Sequence, residues 1–342
     1  MFNHAKIEKF IDFIKMSNNI VIATHLNPDG DAIGSATALK MCLQQINKKN
    51  VSIIVPNDFP QNLKWISESE TIYLYNKHSH KKKIDAMLNS CDMLICTDFQ
   101  SFSRAGDLEK VLESCKSRKV LIDHHIDPAE DQFDIVFSTT KVSSTCELLY
   151  NLIVKIGLDK NINKNVAESI FVGIMTDTGS FSYSVNNKET FLIVAKLIEK
   201  DIDTRYIHEQ IYDTFSENRL RLLGYCLSER LKVFAEKAIA YIYLNKEDLK
   251  RFKYIPGDTE GIVNYALSMK DIKFAALFTE HEEKIRISFR SKGKFDTNVF
   301  AKTYFNGGGH RNASGGSSVD SIENTIKKFD KIIADIDVNV FK

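Results

Sequence analysis

No stretch of the chain is apolar for long enough to cross a bilayer, there is one tryptophan, and the charges of opposite sign almost cancel. Each shortage closes an option. A membrane-spanning helix needs about 20 consecutive apolar residues, and no run here approaches that. With 46 Lys and Arg against 45 Asp and Glu, no global field exists to hold long nucleic acid, although a local cluster could still grip a short anionic ligand. The six cysteines, at 42, 91, 96, 115, 146 and 226, form no CxxC pair and no disulfide framework. They read as buried small residues of a reducing compartment. The N-terminus carries no secretory pattern: Ile7, Phe10, Ile11 and Ile14 recur at helical spacing, with Glu8 and Asp12 opposite. A soluble cytoplasmic protein without a membrane partner is expected.

What is present centres on Thr24-His25-Leu26-Asn27-Pro28-Asp29-Gly30-Asp31. The apolar run 20–23 before it reads as a strand, and 32–43 after it as a helix. Pro28 and Gly30 turn the loop, folding Asp29 and Asp31 back toward His25. Three potential metal ligands thus share one strand-to-helix loop, the place where open α/β sheets bind ligands. Taken alone, Asp29-Gly30-Asp31 reads more often as a turn followed by an Asp helix cap than as a ligand pair.

At 342 residues two domains are the default. Further short strands are expected at 51–55, 72–75, 93–97 and 120–122, and helices at 81–89 and 108–114. Ser144-Thr145-Cys146-Glu147 has capping-box spacing and opens a helix to about 156, and 166–175 is an apolar run ending at Thr176-Asp177. Such alternation predicts a parallel sheet with helices on both faces. From 187 consecutive helices follow; from 233 the pattern is α+β, with strands at 238–244 and 273–279, a hairpin into 285–289, and helices at 297–304 and 322–333. The fold class is α/β: a parallel-sheet N-terminal domain (1–186), a helical connector (187–232) and a smaller α+β C-terminal domain (233–342).

Four strand or apolar-run ends carry acids or histidines: His25, Asp98, Asp123-His124-His125 and Asp177. Parallel strands share a carboxyl edge, so these ends should converge. Asp29, Asp31, Asp98, Asp123 and Asp177 would repel one another unless cations neutralised them. Carboxylates with imidazoles suit Mn or a similar divalent ion. One ion is too few, and two sharing a bridging carboxylate is the economical arrangement, suited to displacement at phosphorus.

In order and in type, these motifs resemble the four motifs of the DHH phosphoesterase superfamily, and Gly307-Gly308-Gly309-His310 resembles the signature of the C-terminal domain that accompanies it. The likeness covers nearly the whole chain and is greatest to the branch that degrades very short oligonucleotides and dephosphorylates 3′-phosphoadenosine 5′-phosphate. It implies that His25 and Asp29 hold a first Mn, with Asp98 bridging to a second held by Asp31, Asp98, His124 and Asp177. It implies further that His125 approaches the scissile phosphate, that Asp123 orients a histidine, and that a metal-bound hydroxide attacks in line. Asp98, Asp123 and His125 are thus the catalytic candidates.

For substrate binding, consecutive glycines let backbone N–H groups approach a phosphate, at Gly308 and Gly309 in particular. His310 can donate to a phosphate oxygen, and Arg290 can clamp one bidentately. Arg104, six residues beyond Asp98, is a further candidate from the first domain. The expected partners are short single-stranded RNA or DNA oligonucleotides and bisphosphonucleotides; homodimerisation stays open. Competing readings are a linear or cyclic dinucleotide phosphodiesterase, an exopolyphosphatase, and a non-catalytic nucleotide-sensing protein. His78 and His80 read as a solvated polar run, Trp65 as packing, and Lys292 and Lys294 equally as an extension of a phosphate-binding surface beside Arg290 or as an exposed loop.

Overall fold

The computed structural model describes residues 2–48, 50–182 and 187–341, and the chain divides into two units after Thr214. The first unit runs α1 (His4–Met16), β1 (Asn19–Ala23), α2 (Gly30–Gln45), β2 (Asn50–Val55), β3 (Tyr73–Leu74), α3 (His78–Ser90), β4 (Met93–Thr97), α4 (Glu109–Ser114), β5 (Arg118–Asp123), β6 (Ile135–Ser138), α5 (Thr145–Lys155), α6 (Lys164–Asp177), α7 (Lys188–Ile198) and α8 (Thr204–Tyr212). Its strands are all parallel, in the order β3-β2-β1-β4-β5-β6. The chain winds outward from β1 to one edge, then returns beside β1 with β4 and winds to the other. The carboxyl ends of β1 and β4 therefore flank the point where winding reverses, which is where such sheets take ligands.

Residue parity explains why helices cover both faces. Ile20, Ile22, Met93, Ile95, Val120 and Ile122 join one apolar cluster with α1, α2, α5 and α6. Val21, Ala23, Leu94, Cys96 and Leu121 join another with Ile84 and Leu88 of α3 and Leu112 of α4. Strands buried on two faces carry unbroken apolar runs, and β1, β4 and β5 do. β6 was not anticipated; four residues at a sheet edge carry little pattern. The apolar run 166–175 is helix α6, buried nearly all round, so it shows no one-sided stripe. Asp177 consequently reaches the sheet edge from a helix end, not along a strand.

The second unit holds α9 (Glu217–Tyr225), β7 (Leu231–Phe234), β8 (Ile239–Leu244), α10 (Lys246–Arg251), α11 (Ile262–Ser268), β9 (Phe274–Glu280), β10 (Ile285–Ser291), α12 (Thr297–Tyr304), β11 (Gly308–Gly309), β12 (Ala313–Ser318) and α13 (Ile322–Ala334). Its strand order is β11-β12-β10-β9-β8-β7, with β8 and β9 parallel and the other pairs antiparallel. One face packs a phenylalanine-rich core against α12 and α13, and the other packs on α9 and α11. The domain boundary expected at residue 186 lies outside the described residues. The segment expected as a connector is divided between the units: Ile193, Leu197, Ile207 and Ile211 of α7 and α8 belong to the first core, and Leu222 of α9 to the second. Their apolar stripes need a partner, and each finds it in the nearest core. Among the described residues no helix is long and apolar enough to cross a membrane.

Candidate metal centre

The loop after β1 turns into α2 through Asp29, the helix cap, whose Oδ1 accepts the N–H groups of Asp31 and Ala32 at 3.1 Å each. The structural and chemical readings of this residue therefore coincide, because the same carboxylate lies 3.8 Å from His25 Nε2. His25 Nδ1 sits 2.9 Å from the Leu26 carbonyl. Donation there orients the ring, with Nε2 turned to Asp29 and to Asp98 Oδ2 at 3.4 Å.

Asp98 stands one residue past β4 with φ of +67°, a region that aspartate tolerates better than most side chains. Its N–H donates to Ile122 of the neighbouring strand at 3.0 Å. The two oxygens of its buried carboxylate face different partners. Oδ2 faces His25; Oδ1 lies 3.7 Å from His124 Nε2 and 3.9 Å from His125 Nδ1, and accepts the Thr145 hydroxyl at 2.9 Å. His124 Nε2 is also 3.4 Å from Asp177 and 3.9 Å from Asp31. Ligand atoms of His25, Asp29 and Asp98 lie within 4.8 Å of one another, as do those of Asp31, His124 and Asp177. Two donor clusters thus meet at one carboxylate.

Asp31 is held from an unexpected side. Its carboxylate accepts the Thr145 N–H at 2.6 Å and the Cys146 N–H at 2.8 Å, both from the first turn of α5, where the helix dipole favours negative charge. Ser144 caps that helix by accepting from Glu147 N at 3.0 Å. The Glu147 carboxylate completes only half a capping box, because it takes the Ser143 N–H at 3.0 Å and the Thr190 hydroxyl at 2.7 Å. The capping spacing in the sequence marks this helix start; the backbone donors to Asp31 leave no mark of their own. Gly173 of α6 completes the seat, since a methyl there would come within 2.2 Å of Cys146 Sγ and 2.7 Å of Asp31 Oδ1. Asp123 accepts His125 Nδ1–H at 2.7 Å and the His125 backbone N–H at 3.1 Å. Of the two adjacent histidines, His125 is therefore the one that Asp123 orients.

The titration behaviour of the metal-free cluster reports crowded charge. Burial disfavours the His25 imidazolium, yet the Asp29 and Asp98 carboxylates overcome it and raise His25 to about 10. Burial and then the Asp177 charge raise Asp31 to about 6. Burial and the Asp31 charge push Asp98 well above the usual carboxylate range. Burial opposes ionisation of Asp123 as well, but His125 holds it below that range, and His25 does the same for the exposed Asp29. A largely buried site with this many carboxylates and two imidazoles has the donor chemistry of divalent cations that accept oxygen and nitrogen ligands, and cations would relieve the repulsion that raises Asp31 and Asp98. The residues fit such ions.

Arg104 lies in the turn after Asp98, where its carbonyl accepts the Leu26 N–H at 2.8 Å and braces the His25 loop. In the second unit, Arg290 pairs with Ala313 across β10 and β12. His310 pairs with the other edge of Ala313, donating to its carbonyl at 2.7 Å. Arg290, Ala313 and His310 thus form one row of the sheet. The glycine run has a packing reason: a methyl at Gly307 would lie 1.9 Å from the Gly315 carbonyl. The N–H groups expected to face a phosphate are in part engaged inside the unit, Gly307 to Ala301 at 3.2 Å and Gly309 to Asn298 at 3.0 Å. Gly308 pairs with Gly315. Elsewhere, His80 accepts the Leu74 N–H at 3.1 Å, Trp65 packs edge-on to Tyr206, and Lys292 donates to the Met269 carbonyl at 3.1 Å.

Residues 19–174 match the DHH family, N-terminal domain, and residues 236–336 match the DHHA1 domain. The chain is similar to the bifunctional oligoribonuclease and PAP phosphatase NrnA of Bacillus subtilis, 27% identical over 96% of this chain and 97% of that one. The crystal structure of an exopolyphosphatase-related protein from Bacteroides fragilis is 41% identical, with a TM-score of 0.92 over 97% of this chain and 96% of that chain. RecJ of Thermus thermophilus, solved with Mn2+, shares the fold at 11% identity and a TM-score of 0.55, over 97% of this chain and 55% of its own. The chain belongs to the DHH family and carries its accompanying DHHA1 domain.

Proposed function

We propose that this hydrolase is a two-metal phosphoesterase, with manganese as the working ion, acting on short oligoribonucleotides and 3′-phosphoadenosine 5′-phosphate. The observation that carries the proposal is Asp98, whose Oδ2 is 3.4 Å from His25 and whose Oδ1 is 3.7 Å from His124. On this reading His25 and Asp29 hold one ion, Asp31, His124 and Asp177 hold the other, and Asp98 joins them. When bound, such a pair lowers the pKa of a water molecule and neutralises charge gathering on the phosphoryl group. Asp123 fixes the tautomer of His125 by accepting from Nδ1, so Nε2 is the nitrogen that meets the phosphoryl oxygens. Asp123 also stabilises the protonated ring if His125 takes up a proton. Arg290 and His310, in one row of the DHHA1 sheet, clamp a substrate phosphate, and Arg104 steadies the His25 loop.

The substrate class rests on the likeness to the Bacillus subtilis protein along nearly the full length of both chains. The name of the Bacteroides fragilis relative makes polyphosphate the second reading. Purified protein with Mn(II) is expected to turn over dinucleotides and 3′-phosphoadenosine 5′-phosphate faster than a long single strand or polyphosphate. Faster cleavage of the long strand, or of polyphosphate, would overturn the assignment.

A further inference from the structure

The helices that lead into the adjacent strands β4 and β5 both end on a cysteine. Cys91 follows α3 and Cys115 follows α4 at the C-cap position. Equivalent positions in two successive units bring the side chains together at the amino ends of the strands. Asp98 and Asp123 stand at the other ends, so roughly a strand length of 17–20 Å separates the thiols from the candidate metal centre.

The two Sγ atoms are 3.6 Å apart, already in contact; Cys115 is buried and Cys91 half-buried, whereas Cys42, Cys96, Cys146 and Cys226 have no exposed surface at all. Ser117 Oγ lies 3.1 Å from Cys115 Sγ. The Leu88 carbonyl, 3.2 Å from Cys115 and 3.4 Å from Cys91, accepts from whichever thiol keeps its proton. Cys115 also lines a cavity of about 430 Å³ that includes Lys116, Arg118, Lys119, Asp131 and Asp134. A small polar oxidant in that cavity lies against Cys115, and the Cys91 sulfur is in contact with the Cys115 sulfur.

We propose that Cys91 and Cys115 form a redox pair that closes to an intramolecular disulfide on exposure to hydrogen peroxide. The Cys115 thiolate attacks one peroxide oxygen, breaking the O–O bond. The departing hydroxide leaves as water with the proton that the thiol gave up. Cys115 is then a sulfenic acid. The Cys91 sulfur attacks the Cys115 sulfur, the S–O bond breaks, and the hydroxyl leaves as a second water carrying the Cys91 proton. Two thiols and one peroxide become one disulfide and two waters. The order follows from the surroundings: Cys115 lines the cavity and has Ser117 Oγ at 3.1 Å, and the hydrogen bond with Cys91, reinforced by Ser117 and Lys119, moves the Cys115 thiol downward against its burial, while Cys91 moves upward. In a reducing compartment such a bond is a transient signal and not a structural staple.

The test uses the full chain, treated with hydrogen peroxide and digested without reduction. The expected product is a Cys91–Cys115 linked peptide, with free thiols in the denatured protein falling from six to four and returning to six with dithiothreitol. In Cys91→Ser, dimedone is expected to trap a sulfenic acid on Cys115. In Cys115→Ser, oxidation at Cys91 is expected to slow at least tenfold. Six thiols retained in the wild type, a linkage through another cysteine, or equally fast dimedone labelling of Cys91 in Cys115→Ser would overturn the proposal.

Discussion

Loading the metal-free protein with Mn(II) at pH 7.5 is expected to release protons, because a cation at His25 Nε2 must displace the one held there by Asp29 and Asp98. His25 is raised to about 10, about 2.5 units above the working pH, so removing its proton costs roughly 3 kcal/mol. The apparent affinity of that cluster at pH 7.5 is thereby weakened roughly 300-fold relative to the deprotonated site, and it should strengthen about tenfold per pH unit from pH 7 to pH 9. The sign for stability is the ordinary one for a raised histidine. Its contribution to the metal-free fold is complete below pH 6.5 and is lost as pH rises through about 10. Asp31 acts in the opposite sense to a salt-bridged acid. Raised from 3.8 to about 6, it binds a proton more tightly in the folded chain, so metal-free stability declines as pH rises through that window until a cation offsets the charge. Calorimetric titrations in buffers of different ionisation enthalpy count the protons directly. Affinity independent of pH between 7 and 9, with no proton released, would refute the reasoning about His25.

Two substitutions test other parts of the account. Gly173→Ala places a methyl 2.2 Å from Cys146 Sγ and 2.7 Å from Asp31 Oδ1. Overpacking should cost about 1–3 kcal/mol, read as a lower Tm, and the displaced Asp31 should reduce bound metal; unchanged metal content and Tm would show that α6 can part freely from α2 and α5. His310→Ala is expected to raise KM with metal content unchanged, whereas metal loss in that variant would tie His310 to the ions and contradict its placement in substrate binding.

The parts of the fold that were legible share a physical trait. Strand β4 and helix α12 stand at the residues expected for them, 93–97 and 297–304, since each is set off by its own local pattern. Strand β12, Ala313–Ser318, has no such pattern: its sequence ASGGSS holds one alanine as its sole apolar residue and no β-branched side chain, and it becomes a strand by pairing with β10. The donor side chains were legible because they close strands and helices, where α/β folds collect ligands. The Thr145 and Cys146 N–H groups that hold Asp31 were not, because every residue but proline has one and only tertiary structure aims it. The glycine run carries a packing reason that its composition does not reveal: close approach to Gly315 requires Gly307 to lack a side chain.

The central claim is that Asp98 joins two cation sites. Electron paramagnetic resonance of the full chain loaded with Mn(II), with bound metal counted in parallel, tests it most directly. The account predicts two ions per chain with a spin-coupled signal, and loss of the coupling together with phosphoesterase activity in Asp98→Asn. A single ion per chain, or two uncoupled ions in the wild type, would contradict it.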